Sequence, residues 1–406
     1  MTLSISDCRK EVGNLAVAVF LNLQFVRTIL AAIIPGFTAH GIRFAVIVSA
    51  LLFLVSIRRI TIGVYEILIP SVILLYYFVT GLLFPGKSRV TFFEVFSYSI
   101  MPFLLILLNA DMSKVVKWTL IITSPAILVS NQLFAHTVGG RALGMVLSYS
   151  VLFSCSCGLL YLLYYRKHDR KPISIIFTLL CVPQFYYMYE MIFYGSRGPA
   201  LALLVLVVLI GYFKPKNDYD YIDRKISAFV VIIAIAVTLI AVFFEDILIW
   251  FSALLQRHNI FFRSLTKTLS LYRKFDISHG RTEYYVTALR GFFREPVLGH
   301  GLDMFLENTG LIYPHNFILQ LAYDGGLVML LTILLPAVIY SIKILAEKKY
   351  SSFVIWSLLF SASAVGALFS GDLWEKYHLW YFFAYCISNG RALGHQKKNN
   401  ILNEYR

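Results

Sequence analysis

Charged residues are scarce in this chain, and their scarcity excludes an ordinary soluble domain. Asp, Glu, Lys and Arg make up 14% of the 406 residues, whereas a soluble domain has about 25%. Hydrophobic residues reach 59% and aromatic residues 16%. We therefore expect an integral membrane protein.

Cysteine is also scarce, which excludes a disulfide framework and a cysteine-based metal cluster. One cysteine lies near the N-terminus and the others lie in apolar segments: Cys8, then Cys155, Cys157, Cys181 and Cys386. The chain has no HExxH motif and no CxxC pair. It also lacks a P-loop and a GxGxxG motif, so nothing indicates direct use of ATP. We expect chemistry without a metal ion or a cofactor.

The sequence further lacks an internal repeat, a low-complexity linker and a cleavable signal. The first apolar stretch is too long for a signal core and has no small-residue cleavage site, so we interpret it as a membrane span. The net charge of +14 does not indicate a nucleic-acid partner, because Lys and Arg cluster in short loops where membrane orientation explains them. We expect one membrane domain over residues 1–406.

Long apolar runs are what the chain does have. They are about 20 residues long, which is the length that a helix needs to cross a hydrocarbon core of about 30 Å. The runs are continuously apolar and not alternating, which favours helices over a barrel. We expect an all-α polytopic protein with about 12 spans, at residues 13–35, 41–57, 60–84, 90–109, 115–135, 142–165, 172–194, 198–213, 226–244, 317–344, 352–371 and 377–390.

Basic residues in the short loops orient these spans. With the N-terminus in the cytoplasm, the strong basic clusters fall inside, as the positive-inside rule requires. Lys87 and Arg89 are the exception, because this topology places them outside. It also places outside the turn 195–199 and the polar segment 245–314, which is the one large loop.

The segment 245–314 is basic and is predicted to contain a short amphipathic helix. Between Arg281 and Arg294 apolar residues recur with helical spacing, and Pro296 ends the pattern. We expect this helix to lie along the membrane surface, with Arg290 and Arg294 facing water or lipid headgroups. Its predicted apolar face consists of Tyr284, Tyr285, Ala288, Leu289, Phe292 and Phe293.

His315 is the leading candidate for proton transfer in this loop. Pro314 restricts the backbone before it and a span begins near Phe317, so the imidazole is held at a defined depth. An imidazole titrates near neutrality and can accept a proton from an attacking hydroxyl. A lone histidine in a membrane protein is more often structural, and the loop contains competitors. These are His258, His279 and His300, with the carboxylates Asp303 and Glu307 as further alternatives.

Arg197 is a candidate for binding phosphate. It lies in the glycine- and proline-containing turn 195–199, where a guanidinium at headgroup depth can form paired hydrogen bonds to phosphate. The alternative is an interfacial arginine that only reaches lipid headgroups. The flanking glycines favour a functional role, because a plain anchor needs no constrained backbone.

Several motifs on the outer side resemble, in this order, the O-antigen polymerase and O-antigen ligase superfamily of bacterial inner-membrane proteins. The resemblance covers residues from about 190 to 335, while the first half of the chain matches only in hydropathy. The motifs are Gly195-Ser196-Arg197-Gly198-Pro199, Gly280-Arg281-Thr282-Glu283, Pro296-Val297-Leu298-Gly299-His300-Gly301, and Tyr313-Pro314-His315-Asn316 followed by Asp324-Gly325-Gly326.

The resemblance implies a GT-C-like membrane glycosyltransferase of the bacterial inner membrane, with the large loop in the periplasm. Its donor and acceptor would be glycans linked to undecaprenyl pyrophosphate, a chain-length regulator would be a further partner, and no metal or cofactor is implied. Carried over by motif, Arg197 and Arg281 bind the donor pyrophosphate, and His315 activates the acceptor hydroxyl. The supporting residues are Ser196, Tyr313 and Asn316.

Polymerase and ligase differ in the acceptor, which is another lipid-linked repeat unit for the first and the lipid A core for the second. The ligase pattern after His315-Asn316 ends in Gly, Thr or Tyr where this chain has Met329, so we favour a polymerase and keep the ligase as an alternative. A flippase of lipid-linked oligosaccharide is a second alternative, although transporters place their charges inside the spans. A structural partner of a glycan assembly complex is a third.

Overall fold

The computed structural model describes residues 5–34, 40–57, 62–129, 136–137, 140–141, 145–195, 197–213, 244–258, 265, 268–270, 281–369 and 371–404. Helices dominate these residues, as predicted for an all-α polytopic membrane protein. In chain order they are α1 (Ile5–Leu21), α2 (Leu23–Ile33), α3 (Gly41–Ser56), α4 (Val64–Leu83), α5 (Phe92–Glu94), α6 (Met101–Leu105), α7 (Met112–Thr123), α8 (Met145–Leu163), α9 (Lys171–Leu180), α10 (Val182–Tyr194), α11 (Arg197–Tyr212), α12 (Phe244–Arg257), α13 (Arg281–Arg294), α14 (Phe305–Thr309), α15 (Phe317–Met329), α16 (Leu335–Ala346), α17 (Tyr350–Leu359), α18 (Gly366–Phe369) and α19 (Tyr377–Glu404).

Short irregular pieces connect or extend several helices. The strands β1 (His136–Thr137) and β2 (Gly140–Arg141) pair antiparallel as a small ribbon. The helical turns of π type are Val95–Ile100, Leu330–Leu334 and Phe360–Val365, and those of 3₁₀ type are Ile106–Leu108, Ser124–Val129, Tyr165–His168 and Leu373–Glu375.

Helices stand where the sequence predicts spans, within a few residues at most ends. The predicted span 226–244 lies almost wholly outside the described residues, and each of the others coincides with a helix or a consecutive run of helices. Within the described residues, 5 helices are long and apolar enough to cross a membrane, or up to 6 if one bent pair counts as a single span. Membrane insertion of the shorter apolar helices, and therefore the total of about 12 spans, stays a prediction.

The predicted first span, 13–35, is not one straight helix. The chain bends by 82° between α1 and α2, and Asn22 stands at the break. The Asn22 amide donates to the carbonyl of Ala18 at 2.8 Å and to the Thr119 hydroxyl at 3.0 Å. A buried polar side chain with partners of its own replaces helix hydrogen bonds there, and hydropathy does not report such a break.

The surface of the molecule carries the large apolar side chains that lipid contact requires. Leu75, Phe78 and Leu82 on α4 are mostly exposed, and α4 is long and apolar enough to cross a membrane. Trp374 and Trp380, in contrast, are fully buried and stack with ring centroids 5.5 Å apart. The core therefore lies among the helices, and α4 lies at its edge with one apolar face outward.

The predicted span 317–344 is broken at Gly326, whose φ of 56° and ψ of −150° interrupt the helix. This conformation is essentially restricted to glycine. Tyr76 of α4 donates from its hydroxyl to the carbonyl of Gly325 at 3.1 Å. The segment before the break is therefore a short helix that carries Asn316 at its start, and the apolar run to Ala346 continues after it.

The loop 296–301 clamps this break by backbone pairing. Gly299 and Gly301 have φ of 67° and 95°. A Cβ on Gly299 would lie 2.6 Å from the carbonyl oxygen of Tyr323, so close approach requires glycine there. The motif that contains Gly299 and Gly301 therefore packs directly against the motif that contains Gly326. Its hydrogen bonds run from His300 N to Tyr323 O (2.9 Å), from Gly301 N to Asp324 O (3.0 Å) and from Leu327 N to Pro296 O (2.8 Å).

The amphipathic helix predicted in the large loop is confirmed as α13, from Arg281 to Arg294. It packs on α15, and Ala288 forms a small buried cluster with Phe305 and Tyr323. The predicted apolar face is only partly correct, because Leu289 and Phe293 are exposed. They turn away from the protein, so α13 presents apolar side chains in two directions.

Candidate functional site

His315 lies in the short connection just before α15. Its φ is 57°, in the left-handed region, which is uncommon for a residue with a side chain. Asn316 caps the helix, since its Oδ1 accepts from the backbone N–H groups of Ile318 at 3.0 Å and Leu319 at 3.2 Å. The Asn316 amide also donates to the carbonyl of Leu368 at 3.2 Å. Asn316, which the sequence predicts as a supporting residue, is therefore a helix cap that fixes the backbone beside His315.

Two tyrosines hold the imidazole of His315. Its ring centroid lies 4.4 Å from that of Tyr313 and 5.2 Å from that of Tyr284. Nδ1 of His315 is buried and has no hydrogen-bond partner among the described residues. The ring is thus positioned by packing, and its buried nitrogen has none of the partners that such groups usually have.

Burial and the positive charge of Arg281 lower the pKa of His315 from 6.5 to about 4. Both causes disfavour the imidazolium, because the cation is desolvated and faces another cation. At neutral pH the ring is therefore uncharged. It is in the protonation state in which an imidazole accepts a proton.

Arg281 and Arg197 have similar positions, since Arg281 is the first described residue of α13 and Arg197 is the first described residue of α11. Ser196 and the side chain of Arg197 lie outside the described part of the structure, so only the backbone start of α11 is placed.

Gly198 has a packing role at the start of α11. A Cβ on Gly198 would lie 2.4 Å from the hydroxyl oxygen of Tyr149. The sequence predicts this glycine as part of a tight turn, but the structure places it within the first helical turn, where it leaves room for Tyr149. The neighbouring Pro199 suits that turn, which needs no backbone donor from it.

Tyr149 and Tyr313 also line one cavity of about 280 Å³. Acidic and basic groups face it, namely Asp372, Glu375 and Lys376. The Lys376 Nζ stands 3.8 Å from the centroid of the Tyr149 ring, and burial lowers the pKa of Lys376 to about 8. Tyr313 contacts His315 and Tyr149 contacts Gly198 of α11, so the cavity lies between these two parts of the site.

Two buried carboxylates, Asp303 and Asp372, lie beside the exposed Arg89 next to the loop. The backbone N–H of Arg89 donates to Asp303 Oδ2 at 3.0 Å, and Nη2 donates to Asp303 Oδ1 at 2.9 Å. Nη2 also donates to the carbonyl of Ile312 at 3.1 Å and lies 3.6 Å from Asp372. Burial and the negative charge of Asp303 raise the pKa of Asp372 to about 6. Arg89 thereby contacts three segments around the site, which contain Asp303, Ile312 and Asp372.

The two carboxylates considered as alternative bases are both engaged. Asp303 is buried in its pair with Arg89. Glu307 forms an ion pair with Lys87 at 2.9 Å. Both carboxylates are thus engaged in ion pairs, which fits a structural role better than a catalytic one.

The same two ion pairs account for the exception in the basic-loop pattern. Lys87 and Arg89 lie on the same side of the molecule as Glu307 and Asp303, which neutralise them. Sequence reasoning missed Arg89 and Asp372 as members of the site's surroundings. The signal available was the position of Lys87 and Arg89 on the predicted outer side, which carboxylate partners explain.

The competing histidines have different surroundings. His300 stacks on Tyr323 with ring centroids 4.4 Å apart, and its Nε2 lies 3.0 Å from the carbonyl oxygen of Gly291. His258 is exposed at the end of α12, and His279 lies outside the described residues. His300 is therefore a packing residue of the clamp.

A family comparison matches the segment that contains these residues. Residues 186–335 match a family model described as O-antigen ligase. The matched segment includes Arg197, Arg281, His315 and the clamp at Gly326, and it leaves the N-terminal helices uncovered. No curated protein matches the chain.

Proposed function

We propose that this chain, whose residues 186–335 match a family model described as O-antigen ligase, is a member of the O-antigen polymerase and ligase superfamily and polymerises lipid-linked glycan repeat units. The enzyme would be a membrane glycosyltransferase whose donor and acceptor are oligosaccharides on undecaprenyl pyrophosphate, with the large loop facing the periplasm. The observation that carries the proposal is that the His315 ring packs 5.2 Å from Tyr284 of α13, one helical turn after Arg281, whose positive charge acts on the imidazole. The candidate proton acceptor and the candidate phosphate ligand are therefore neighbours.

The reaction forms one glycosidic bond and breaks another. A hydroxyl oxygen of the acceptor attacks the anomeric carbon of the donor, and the bond from that carbon to the pyrophosphate oxygen breaks. His315 takes the hydroxyl proton, and the electron pair of the broken bond leaves on the pyrophosphate. Arg281 and Arg197 stabilise that growing negative charge. Attack opposite the leaving group inverts the anomeric centre.

The effect of Arg281 on the pKa of His315 supports coupling between donor binding and proton transfer. The positive charge of Arg281 opposes protonation of His315. A bound pyrophosphate brings negative charge to Arg281 and reverses that effect, because an adjacent anion favours the imidazolium. The base therefore becomes stronger when the donor is in place.

A deletion strain tests this function on a lipopolysaccharide gel. If the chain is the polymerase, the strain retains lipid A core bearing one repeat unit and loses the ladder of longer products, and a plasmid copy restores the ladder. A normal ladder in the deletion strain would contradict the proposal.

The ligase remains the second candidate, because the matched family model is described as O-antigen ligase. Met329, which departs from the ligase pattern, is fully buried. It packs beneath Gly325, where a Cβ would lie 2.1 Å from its side chain. On the same gel a lost ligase leaves core alone, while lipid-linked polymer accumulates.

A further inference from the structure

We propose that a groove between α4 and α13 binds the second lipid-linked glycan, the acceptor, through its pyrophosphate and the first part of its isoprenoid chain. The groove is a cavity of about 880 Å³ on the face of α13 that carries Arg290 and Arg294. Sites for small ligands commonly enclose about 300–1,000 Å³. This inference rests on the proposed function, since only a transfer between two lipid-linked glycans needs two such sites.

One wall of the groove is apolar. Leu75, Val79 and Leu83 of α4 line it, and each is exposed. They belong to a helix that is long and apolar enough to cross a membrane, so we expect this wall to face lipid. An isoprenoid chain can therefore enter this wall sideways from the bilayer without leaving an apolar environment.

The other wall is cationic. Arg290 and Arg294 line it from consecutive turns of α13, and both are exposed. Residues four apart on a helix are neighbours on one face, so two guanidinium groups match the two phosphates of a pyrophosphate. Within the described part of the chain neither forms an ion pair. Glu295 also lines the groove and leaves a net positive charge of one among these three groups.

The position of the groove fits the acceptor and not the donor. In the donor the reacting anomeric carbon is bonded directly to the pyrophosphate, so its phosphates must lie beside His315, where Arg281 is. Arg290 lies nine residues further along α13, which is about 13 Å at 1.5 Å per residue. Along α13, Tyr284 and Ala288 lie between the two arginines and belong to a small hydrophobic cluster with Phe305 and Tyr323. The acceptor reacts through a hydroxyl several sugars away from its phosphates, so its oligosaccharide can span that distance.

Binding stoichiometry tests the second site. Purified full-length protein is placed in nanodiscs of phosphatidylcholine, undecaprenyl diphosphate is added as the probe, and bound lipid is counted by native mass spectrometry. Wild type should bind two molecules. The double variant Arg290→Glu/Arg294→Glu should bind one, and Arg281→Ala should lose the other. Arg257→Glu, at the exposed end of α12, is the matched control and should bind two.

A second variant tests the apolar wall without changing charge. Val79→Trp adds a large side chain inside the groove at a position that is 41% exposed, so the fold has room for it. It should also reduce the count to one. In a transfer assay the KM for an acceptor analogue that cannot donate, because a carbon replaces its glycosidic oxygen, should rise at least tenfold in both groove variants. The KM for the donor should not change.

The possible failures are distinguishable. A single bound molecule that only Arg281→Ala removes would overturn the acceptor site and leave the proposed function intact. Displacement of the second molecule by an equal amount of phosphatidylglycerol would also overturn it, since Arg290 and Arg294 would then be ordinary headgroup anchors. No binding of undecaprenyl diphosphate at all would contradict the proposed function itself.

Discussion

At His315 a left-handed backbone coincides with a buried nitrogen that has no hydrogen-bond partner in the described part of the chain and with the nearby charge of Arg281. A left-handed residue with a side chain costs about 1–3 kcal/mol, and it persists only where the surrounding structure enforces it. His300, fifteen positions earlier, has a stacking partner and a backbone hydrogen bond instead. From the sequence, His315 could be preferred over the other histidines only because Pro314 and the start of the next span restrict its backbone. Their contacts with Tyr284 and Tyr323 come from other parts of the chain.

Replacement of His315 is the first prediction at this scale. Removal of a general base typically lowers the rate about 100- to 10,000-fold, so His315→Ala should insert and bind donor yet hardly transfer sugar. The measurement is in vitro polymerisation of a purified lipid-linked repeat unit at equal protein level. His258→Ala, at an exposed helix end, is the neutral control. His300→Ala is unsuitable, because it removes packing. Near-normal polymerisation by His315→Ala would make the imidazole structural.

The pH dependence of the reaction is the second. The free enzyme should lose kcat/KM only as the pH falls through about 4, because His315 is uncharged above that value. Arg281→Gln removes one of the two causes that lower this pKa, so the acid limb should move to higher pH while staying below 6.5, since burial remains. A pyrophosphate esterified at both ends does not titrate in this range. An acid limb that is the same in Arg281→Gln and wild type would show that the two groups do not interact.

Among the elements, hydropathy predicts where helices lie but not where they break. The apolar run before Ala346 is continuous in sequence, yet the helix breaks at Gly326. The bend at Asn22 depends on Thr119, 97 positions away. A break of this kind is decided by a partner distant in the chain, and apolarity carries no information about it. The helix α13 was predictable because its signal, an apolar period with a proline at its end, is local.

The clamp between loop 296–301 and the break leads to the third prediction. Gly326→Ala places a Cβ 2.5 Å from the carbonyl oxygen of Val297 in a conformation essentially restricted to glycine, so it should cost at least about 1–3 kcal/mol. Gly326→Ala should have a lower thermal unfolding midpoint than wild type. The midpoint is measured in detergent, with size-exclusion chromatography used to monitor the loss of folded protein on heating. Gly310→Ala is the matched control, since Gly310 also has positive φ but no described atom lies within 4 Å of its Cβ position. An equal loss in both variants would show that the clamp contributes nothing beyond local strain.

At the scale of the whole molecule, ion pairs connect the first third of the chain to the family-matched segment. Asp303 is 214 positions from Arg89, and Glu307 pairs with Lys87. Long-range pairs of this kind could not be predicted from one sequence, although the misplaced basic residues pointed to them. They hold the loop after α4 and the loop after α13 on one side of the molecule.

That arrangement leads to the last prediction, which concerns topology. The side bearing the candidate site should be outside the cytoplasm, because the unneutralised basic clusters then fall inside. In a Cys8→Ser background, which removes the exposed native thiol, Glu283→Cys should react with a membrane-impermeant maleimide in cells with a permeable outer membrane. Arg166→Cys, in a basic loop predicted to be cytoplasmic, should react only after the inner membrane is opened. Both replaced residues are exposed, so unequal labelling reports the side and not burial. Labelling of both from the same side would contradict the predicted number of spans between them and would remove the periplasmic assignment of His315.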